Sequence, residues 1–220
     1  MSTSGPSRPS SGARINHLVL NVRDIEASHR FYTEVLGFEQ CGDLTHTVTM
    51  RFYRGDASRH HDLALVQIYD PEQAPTPDAP SMEPVRAGIN HFAISYPDRQ
   101  SWLDQIRHMK ACGVEFVRRG NHGMTHSAYL YDPDGCGIEV VYDVPAEAWE
   151  GDVDAALNYF EFLDLDDLDD STDYQRFGEG IPEPEAIPGR INTRQLRSPA
   201  TQTAAGRSSD GASSLASEDT

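Results

Sequence analysis

The sequence predicts an α+β fold made of two βαβββ units, and an internal duplication is the main observation behind this prediction. Ile-Asn-His occurs at residues 15–17 and again at residues 89–91, and each copy opens an apolar run. An aspartate follows each histidine by seven residues, at Asp24 and Asp98, and precedes a segment with helical periodicity. Repeats are sought first because they decide the architecture of a chain.

The first unit, residues 14–70, is predicted to hold one helix and four strands. Asp24 is a suitable N-cap, since its carboxylate can accept the free N–H groups at a helix start. The segment that follows has apolar residues at helical spacing, and Gly37 supplies a left-handed C-cap. The predicted strands are 14–21, 38–41, 47–53 and 63–69.

The second unit, residues 88–143, repeats this order. Its predicted elements are a strand at 88–96, a helix at 98–112 and strands at 114–118, 125–131 and 137–142. The last two strands are expected to form a hairpin around Asp132-Pro133-Asp134-Gly135, which has proline and glycine at the positions typical of a tight turn.

The segments outside the units are low in apolar residues. Residues 1–13 and 177–220 are rich in Ser, Gly, Pro and Thr and are predicted to be a disordered leader and tail. Residues 71–87 contain several prolines and are predicted to be a linker. Residues 144–176 are predicted to be an acidic extension packed on the domain, with a short helix at 149–163 whose aromatic side chains belong to the core.

Composition excludes several classes of function. A net charge of −17 argues against nucleic-acid binding, which needs clustered Lys and Arg. No run approaches the ~20 apolar residues of a membrane span, and the N-terminus lacks a signal-peptide pattern. Three widely spaced cysteines indicate neither a disulfide framework nor a thiolate metal site. A cytoplasmic location and, because such assemblies are common, a homo-oligomer are expected.

Three polar residues indicate a metal site. His17 and His91 occupy the same position in the two repeats, so approximate two-fold packing would bring their imidazoles together. Glu139 lies in an otherwise apolar strand, where a carboxylate is costly unless it is paired or binds a metal. Two histidines and one carboxylate form the facial triad typical of non-haem Fe(II) oxygenases. The alternative is that each histidine is a satisfied structural residue.

The duplicated pattern, with His17, His91 and Glu139 in these positions, resembles the vicinal oxygen chelate superfamily. That superfamily includes glyoxalase I, bleomycin-resistance proteins, an epimerase and the type I extradiol catechol dioxygenases. The resemblance covers residues 14–143 and implies that the paired units form a cupped mixed sheet around one metal. Many extradiol enzymes have four such units, whereas this chain has two, so the resemblance implies a one-domain form.

Three further residues resemble the extradiol branch. His61 begins a His-Asp-Leu-Ala segment, where the resemblance implies a histidine facing O₂. His122 begins His-Gly-Met-Thr, which resembles the stretch of the acid–base histidine. Tyr129 stands ten residues before Glu139, as does the tyrosine that hydrogen-bonds the substrate in that branch. His126 lies close enough to His122 to be an alternative acid–base residue.

Other interpretations of these three residues remain open. His61 adjoins His60 and Arg59, so a surface histidine cluster is an alternative. Tyr129 can also be a packing residue of its strand.

The resemblance implies an Fe(II)-dependent extradiol dioxygenase that cleaves a catechol or 2,3-dihydroxybiphenyl with O₂, as in aromatic hydrocarbon catabolism. Mn(II) would suit the same ligands. Two alternatives are a metal-dependent isomerase or lyase of the glyoxalase type and a non-catalytic small-molecule binder. Glyoxalase I generally contributes a fourth ligand, a glutamate late in its first unit. The matching stretch here, residues 63–68, has no carboxylate, which favours the oxygenase.

Overall fold

The computed structural model describes residue 12 and residues 14–72, 80–84, 87–166 and 177. The predicted leader and tail, except for Gly12 and Phe177, lie outside the described residues, and so does much of the predicted linker. Over the described ranges, no helix is long and apolar enough to cross a membrane.

The first unit is a four-stranded mixed sheet with one helix. Its strands are β1 (Leu18–Val22), β2 (Glu39–Leu44), β3 (Met50–Arg54) and β4 (Leu63–Gln67). They lie in the order β1-β4-β3-β2, with β1 parallel to β4 and the other pairs antiparallel. Helix α1 (Ile25–Arg30) continues as a π-helical turn, Phe31–Val35. The predicted caps are confirmed: Asp24 accepts two backbone N–H groups, and Gly37 has a φ of 81°.

The second unit repeats this topology. It contains β5 (His91–Tyr96), α2 (Arg99–Ala111), β6 (Arg118–Asn121), β7 (Thr125–Tyr131) and β8 (Gly137–Asp143), with the strands in the order β5-β8-β7-β6. The two βαβββ units of the predicted α+β fold are thus confirmed. The predicted strand at 114–118 has the wrong bounds: the N–H of Val114 bonds to Met109 O at the end of α2, the first bond to β7 is made by the N–H of Val117 to Tyr129 O, and β6 runs from Arg118 to Asn121.

One core lies between the helices and the inner faces of both sheets. In β7 and β8, alternate residues such as Leu130, Ile138 and Val140 are buried against the helices. Trp102 of α2 is fully buried and donates its indole N–H to Val140 O at 3.1 Å. Since side chains alternate along a strand, every second residue is left to face the opposite side of the sheet. The candidate site is on that opposite side.

One buried and several partly buried hydrogen bonds connect the two units. The hydroxyl of Tyr32 donates to Asp132 Oδ2 at 3.0 Å, and the N–H of Arg23 approaches both carboxylate oxygens of Asp134. Burial raises the pKa of Asp132 above its usual range. The side-chain amide of Gln105 donates to Val35 O at 2.7 Å. The β7–β8 turn thereby fixes the helix of the first unit to the second unit.

We expect Tyr32→Phe to lower the free energy of unfolding by about 1–3 kcal/mol, because it removes one partner of the buried Asp132 carboxylate. Urea unfolding followed by circular dichroism measures the loss. Tyr69→Phe is the matched control, since Tyr69 is exposed, and it should stay within about 0.5 kcal/mol of the parent. Equal stability of the two variants would contradict a role for the buried bond.

The extension after β8 differs from its prediction. In place of one helix at 149–163 there is a 3₁₀ turn, Ala146–Ala148, and a single-turn helix α3, Val153–Leu157. Glu161 then forms an isolated antiparallel bridge with Asn121 at the edge of β6. The predicted burial of the aromatic residues is wrong for Phe162, which is 67% exposed. Phe177, assigned to the disordered tail, is buried, and its N–H bonds to Ala148 O at 2.6 Å.

Candidate active site

The second unit brings three of the predicted site residues together on the sheet face opposite the helices. Tyr129 of β7 lies directly across from Glu139 of β8, and Glu139 in turn pairs with Ala93 of β5. His91 is two residues before Ala93 and so points to the same side of β5. The ten-residue interval between Tyr129 and Glu139 therefore makes them cross-strand neighbours around the β7–β8 turn.

His91 and Glu139 face each other closely. The imidazole Nε2 is 3.2 Å from Glu139 Oε2, and the Glu139 side chain is only 13% exposed. On its other edge, the Nδ1 of His91 lies 2.7 Å from Asn90 Oδ1, while the amide nitrogen of Asn90 donates to Met82 O. Asn90 Oδ1 is then an acceptor, so the proton of a neutral His91 is on Nδ1. The Nε2 lone pair is left directed at a carboxylate, an arrangement stabilised by a cation between them or by a second proton.

Tyr129 connects this pair to His122. Its hydroxyl is 2.9 Å from Glu139 Oε1 and 3.1 Å from His122 Nε2. Burial, with a further contribution from the Glu139 carboxylate, raises the pKa of Tyr129 above its usual range. The phenol therefore keeps its proton and acts as a hydrogen-bond donor. The result is a continuous chain of polar contacts, called here the polar line, from His91 through Glu139 and Tyr129 to His122.

His122 lies in a tight turn between β6 and β7. Its backbone N–H bonds to Thr125 O at 2.8 Å, and the side chain of Asn121 accepts the N–H of Gly123. Burial lowers the pKa of His122, while the negative charge of Glu139 opposes that change. A neutral imidazole at this position can accept a proton.

The predicted site residues of the first unit form a separate group. The rings of His17 and His61 have centroids 4.6 Å apart, and His61 also contacts Phe52 at 5.2 Å. The Nδ1 atoms of His60 and His61 are 2.8 Å apart. The pKa of His61 is lowered, chiefly by burial and to a smaller extent by the neighbouring imidazoles of His60 and His17. His61 therefore lies beside His17, and His60, predicted only as a member of a surface histidine cluster, joins them.

The nitrogen and oxygen donors of the two units fit a divalent metal ion only in part. Like His91, His17 has its Nδ1 against the side-chain oxygen of the preceding asparagine, at 2.8 Å. Metal-bound histidines usually fix their second nitrogen in this way, which leaves Nε2 for the ion. His91 and Glu139 therefore fit a divalent cation. Within the described ranges, however, no three His, Cys, Asp or Glu side chains are grouped closely enough to hold one. The complete triad with His17 remains a prediction.

Comparison with known proteins decides the family. A model of the "Glyoxalase/Bleomycin resistance protein/Dioxygenase superfamily" matches residues 14–140, more than half of the chain. The chain belongs to this superfamily. The resemblance inferred from the repeats and the site residues is thus confirmed, and the matched range covers all six predicted metal and catalytic residues.

The relatives within the superfamily differ in activity. The chain is 30% identical over 138 residues to the catechol-2,3-dioxygenase of Bacillus subtilis, which covers 63% of this chain and 44% of that protein. It is 30% identical over 130 residues to biphenyl-2,3-diol 1,2-dioxygenase 3 of Rhodococcus globerulus, covering 59% and 63%. The chain therefore spans less than two thirds of either dioxygenase.

A lactoylglutathione lyase of Pseudomonas putida is 27% identical over 160 residues, covering 59% of this chain and 85% of the lyase. Among solved structures, a glyoxylase/bleomycin resistance protein/dioxygenase domain from Frankia sp. EAN1pec has a TM-score of 0.49 at 17% identity, covering 60% of this chain and 99% of that domain.

Strand alternation separates the two candidate acid–base histidines. His126 lies on β7, three residues before Tyr129, and so points to the opposite face of the sheet. It is buried beside Trp102 and Tyr142 on the helix side, and neither ring nitrogen has a hydrogen-bond partner among the described residues. His122, in contrast, contacts the Tyr129 hydroxyl. The geometry therefore favours His122.

His126 should make stability depend on pH. Burial, with the positive charge of Arg99 as a smaller cause, lowers the pKa of His126 to about 4, against roughly 6.5 in an unfolded chain. Between these values the unfolded state binds more protons, so the neutral ring's contribution is complete above pH ~6.5 and is lost as the pH falls toward 4. The loss is up to ~3 kcal/mol.

We expect His126→Phe to flatten this pH dependence, as measured by urea unfolding at several pH values from 7 to 4. His46→Gln, at an exposed position, is the control and should keep the parent's slope. A slope that persists in His126→Phe would show that another group causes the loss of stability.

Sequence reasoning missed one residue at the site. The ring of Phe160, from the extension, lies 5.2 Å from the ring of His122. A signal for it was present: glycines at 120 and 123 flank His122 and leave space on both sides of the turn. The identity of the residues that fill this space depends on where the extension folds, which local sequence does not specify.

Proposed function

We propose that the chain is an Fe(II)-dependent extradiol dioxygenase that opens the ring of a catechol-type diol with O₂. The polar line His122–Tyr129–Glu139–His91 is the observation that carries this proposal. It joins a pair of metal-type donors to a buried phenol and a neutral imidazole. A protein that only binds a small molecule has no need of such a line.

In this proposal His17, His91 and Glu139 hold the metal, and Mn(II) would suit the same donors. Once bound, the ion acts as a Lewis acid that lowers the pKa of the diol hydroxyls and holds the diol next to O₂. His61 lies against His17 and would line the O₂ side of the site.

The chain's own residues would handle the protons. Tyr129 keeps its proton because burial raises its pKa, so its hydroxyl can donate a hydrogen bond to a bound diolate and orient the ring. His122, whose Nε2 lies 3.1 Å from that hydroxyl, would act as the acid–base residue, taking a proton released by the diol and returning it later in the cycle. Burial keeps His122 neutral at neutral pH, as this role requires.

The second candidate function is a lyase of the glyoxalase type, which the lactoylglutathione lyase relative supports. The strand registers argue against it. In the second unit Glu139 pairs with Ala93, and the equivalent pair in the first unit is Ala64 with Val19. Ala64 is fully buried. The first unit therefore has alanine where a symmetric site would have a fourth ligand, and phenylalanine, Phe52, where the second unit has Tyr129.

Anaerobic reconstitution with Fe(II), followed by a panel of catechols and O₂, tests the proposal. We expect O₂ uptake together with a coloured ring-opened product. The hemithioacetal of methylglyoxal and glutathione is tested in parallel with Zn(II), Ni(II) and Fe(II). Turnover of the thioacetal without O₂ uptake on any catechol would favour the lyase, and turnover of neither class would contradict both enzymatic assignments.

A further inference from the structure

The segment after β8 packs directly on the turn that carries His122. Phe160 contacts the His122 ring on one flank. Glu161 exchanges two backbone hydrogen bonds with Asn121, at 2.8 and 2.9 Å, which extends the sheet by one residue pair next to His122. On the other flank, Phe177 and the backbone of α3 cover Gly123.

Both glycines beside His122 are required by this packing. A Cβ at Gly120 would come within 2.4 Å of Phe160 Cε2, well inside van der Waals contact. A Cβ at Gly123 would come within 2.7 Å of Ala156 O and 3.1 Å of the Phe177 ring, and Gly123 also has a φ of 79°. The turn and the extension are therefore fitted to each other at two points.

The extension is itself anchored. Phe177 packs against Tyr159 with ring centroids 5.3 Å apart, and the Tyr159 hydroxyl donates to Glu161 Oε2 at 2.8 Å. The indole of Trp149 donates to Val144 O at 2.9 Å. Phe177, Tyr159 and Ala156 form a small apolar cluster separate from the main core, and Trp149 packs against it. Phe160 is consequently held against His122 by a folded support.

We propose that Phe160 is a positioning residue of the active site: it fixes the ring of His122 so that Nε2 points at the Tyr129 hydroxyl. The extension is then a part of the site and not only a cover for the domain. Two aromatic rings pack on the imidazole of His122, Phe160 with its centroid 5.2 Å away and Tyr129 with its centroid 6.1 Å away, and Phe160 is the one that the extension contributes. The catalytic consequence of this positioning rests on the proposed dioxygenase function.

The test is a double-mutant cycle between residues 120 and 160. Phe160→Ala removes the ring, and Gly120→Ala displaces it by the Cβ contact. In the full chain each single variant should lower kcat at least tenfold with little change in KM, since the proton transfer and not diol binding depends on His122. In the double variant, Gly120→Ala should add little, because its clash partner is absent. Additive losses would overturn the proposal.

A second measurement does not depend on activity. NMR of the side-chain ring protons of His122 reports the ring current of Phe160. We expect Phe160→Ala and Gly120→Ala to shift these resonances and to weaken the contacts between His122 and Tyr129, and Phe160→Leu to retain part of those contacts. Leu157→Ala is the control, because Leu157 belongs to the same extension but is 67% exposed.

The two readouts separate the possible failures. If the contacts between His122 and Tyr129 weaken as expected but no catechol is turned over by any form, the positioning role stands and the dioxygenase assignment falls. If Phe160→Ala leaves the His122 ring and its Tyr129 contacts unchanged, Phe160 is only a structural residue of the extension and the proposal is wrong.

Discussion

Replacing Glu139 by glutamine should abolish turnover and weaken metal binding by at least 10- to 100-fold. Even the outer residues that support a metal ligand typically have effects of that size, and Glu139 is the carboxylate that faces His91 Nε2 at 3.2 Å. The amide keeps the shape of the side chain and its bond to Tyr129, so the fold should remain. Metal content after dialysis against a chelator, and Fe(II) titration under anaerobic conditions, give the affinity.

The matched control for this substitution is Asp143→Asn. Asp143 lies on the same strand, and by alternation on the same face, but it is exposed near the strand's end. The Asp143→Asn variant should bind Fe(II) as tightly as the parent protein. If Glu139→Gln retained both the metal and the turnover, Glu139 would not be a ligand. Its contact with His91 would then be an ordinary ion pair with a protonated imidazole.

Local sequence signals predicted the parts of the fold that depend on local physics. Asp24 and Gly37 mark the two ends of the first helical segment. Their roles could be predicted because a helix N-cap needs only a side-chain acceptor, and a C-terminal turn needs a residue that tolerates positive φ. The Asp132–Gly135 turn formed where predicted, with Gly135 N bonded to Asp132 O. The start of β6 was predicted wrongly because strand bounds depend on the partner's register, and here the partner is β7, later in the chain.

At the candidate site, too, some residues could be predicted from the local sequence and others only from the tertiary structure. The repeat pointed to His17 and His91, and the resemblance to the extradiol branch singled out Tyr129, which the structure places opposite Glu139. The choice between His122 and His126 needed the face of β7 on which each residue lies. The glycines at 120 and 123 indicate space beside His122, but they do not show that Phe160 fills it, since its position follows from the tertiary contact between the extension and Gly120.

His122→Ala should keep the metal and lose turnover by about 10²- to 10⁴-fold, the usual contribution of a general acid–base residue. The contrast with Glu139→Gln is the informative part: one variant loses the ion and the other loses the proton transfer. Because His122 contacts the Tyr129 hydroxyl and not the His91–Glu139 pair directly, Fe(II) affinity should match the parent's. The substitution should lower kcat far more than it raises KM.

The prediction for His122 also includes how kcat changes with pH. Burial lowers the pKa of His122, so the neutral, proton-accepting form persists below the ordinary imidazole range. In the parent, kcat should therefore fall only on the acid side of pH ~6.5, and that acid limb should disappear from the residual activity of His122→Ala. His126→Phe, on the far face of β7, should leave both kcat and the acid limb in place. If the two variants exchanged these behaviours, His126 would be the acid–base residue, and β7 would have to present its other face to the substrate.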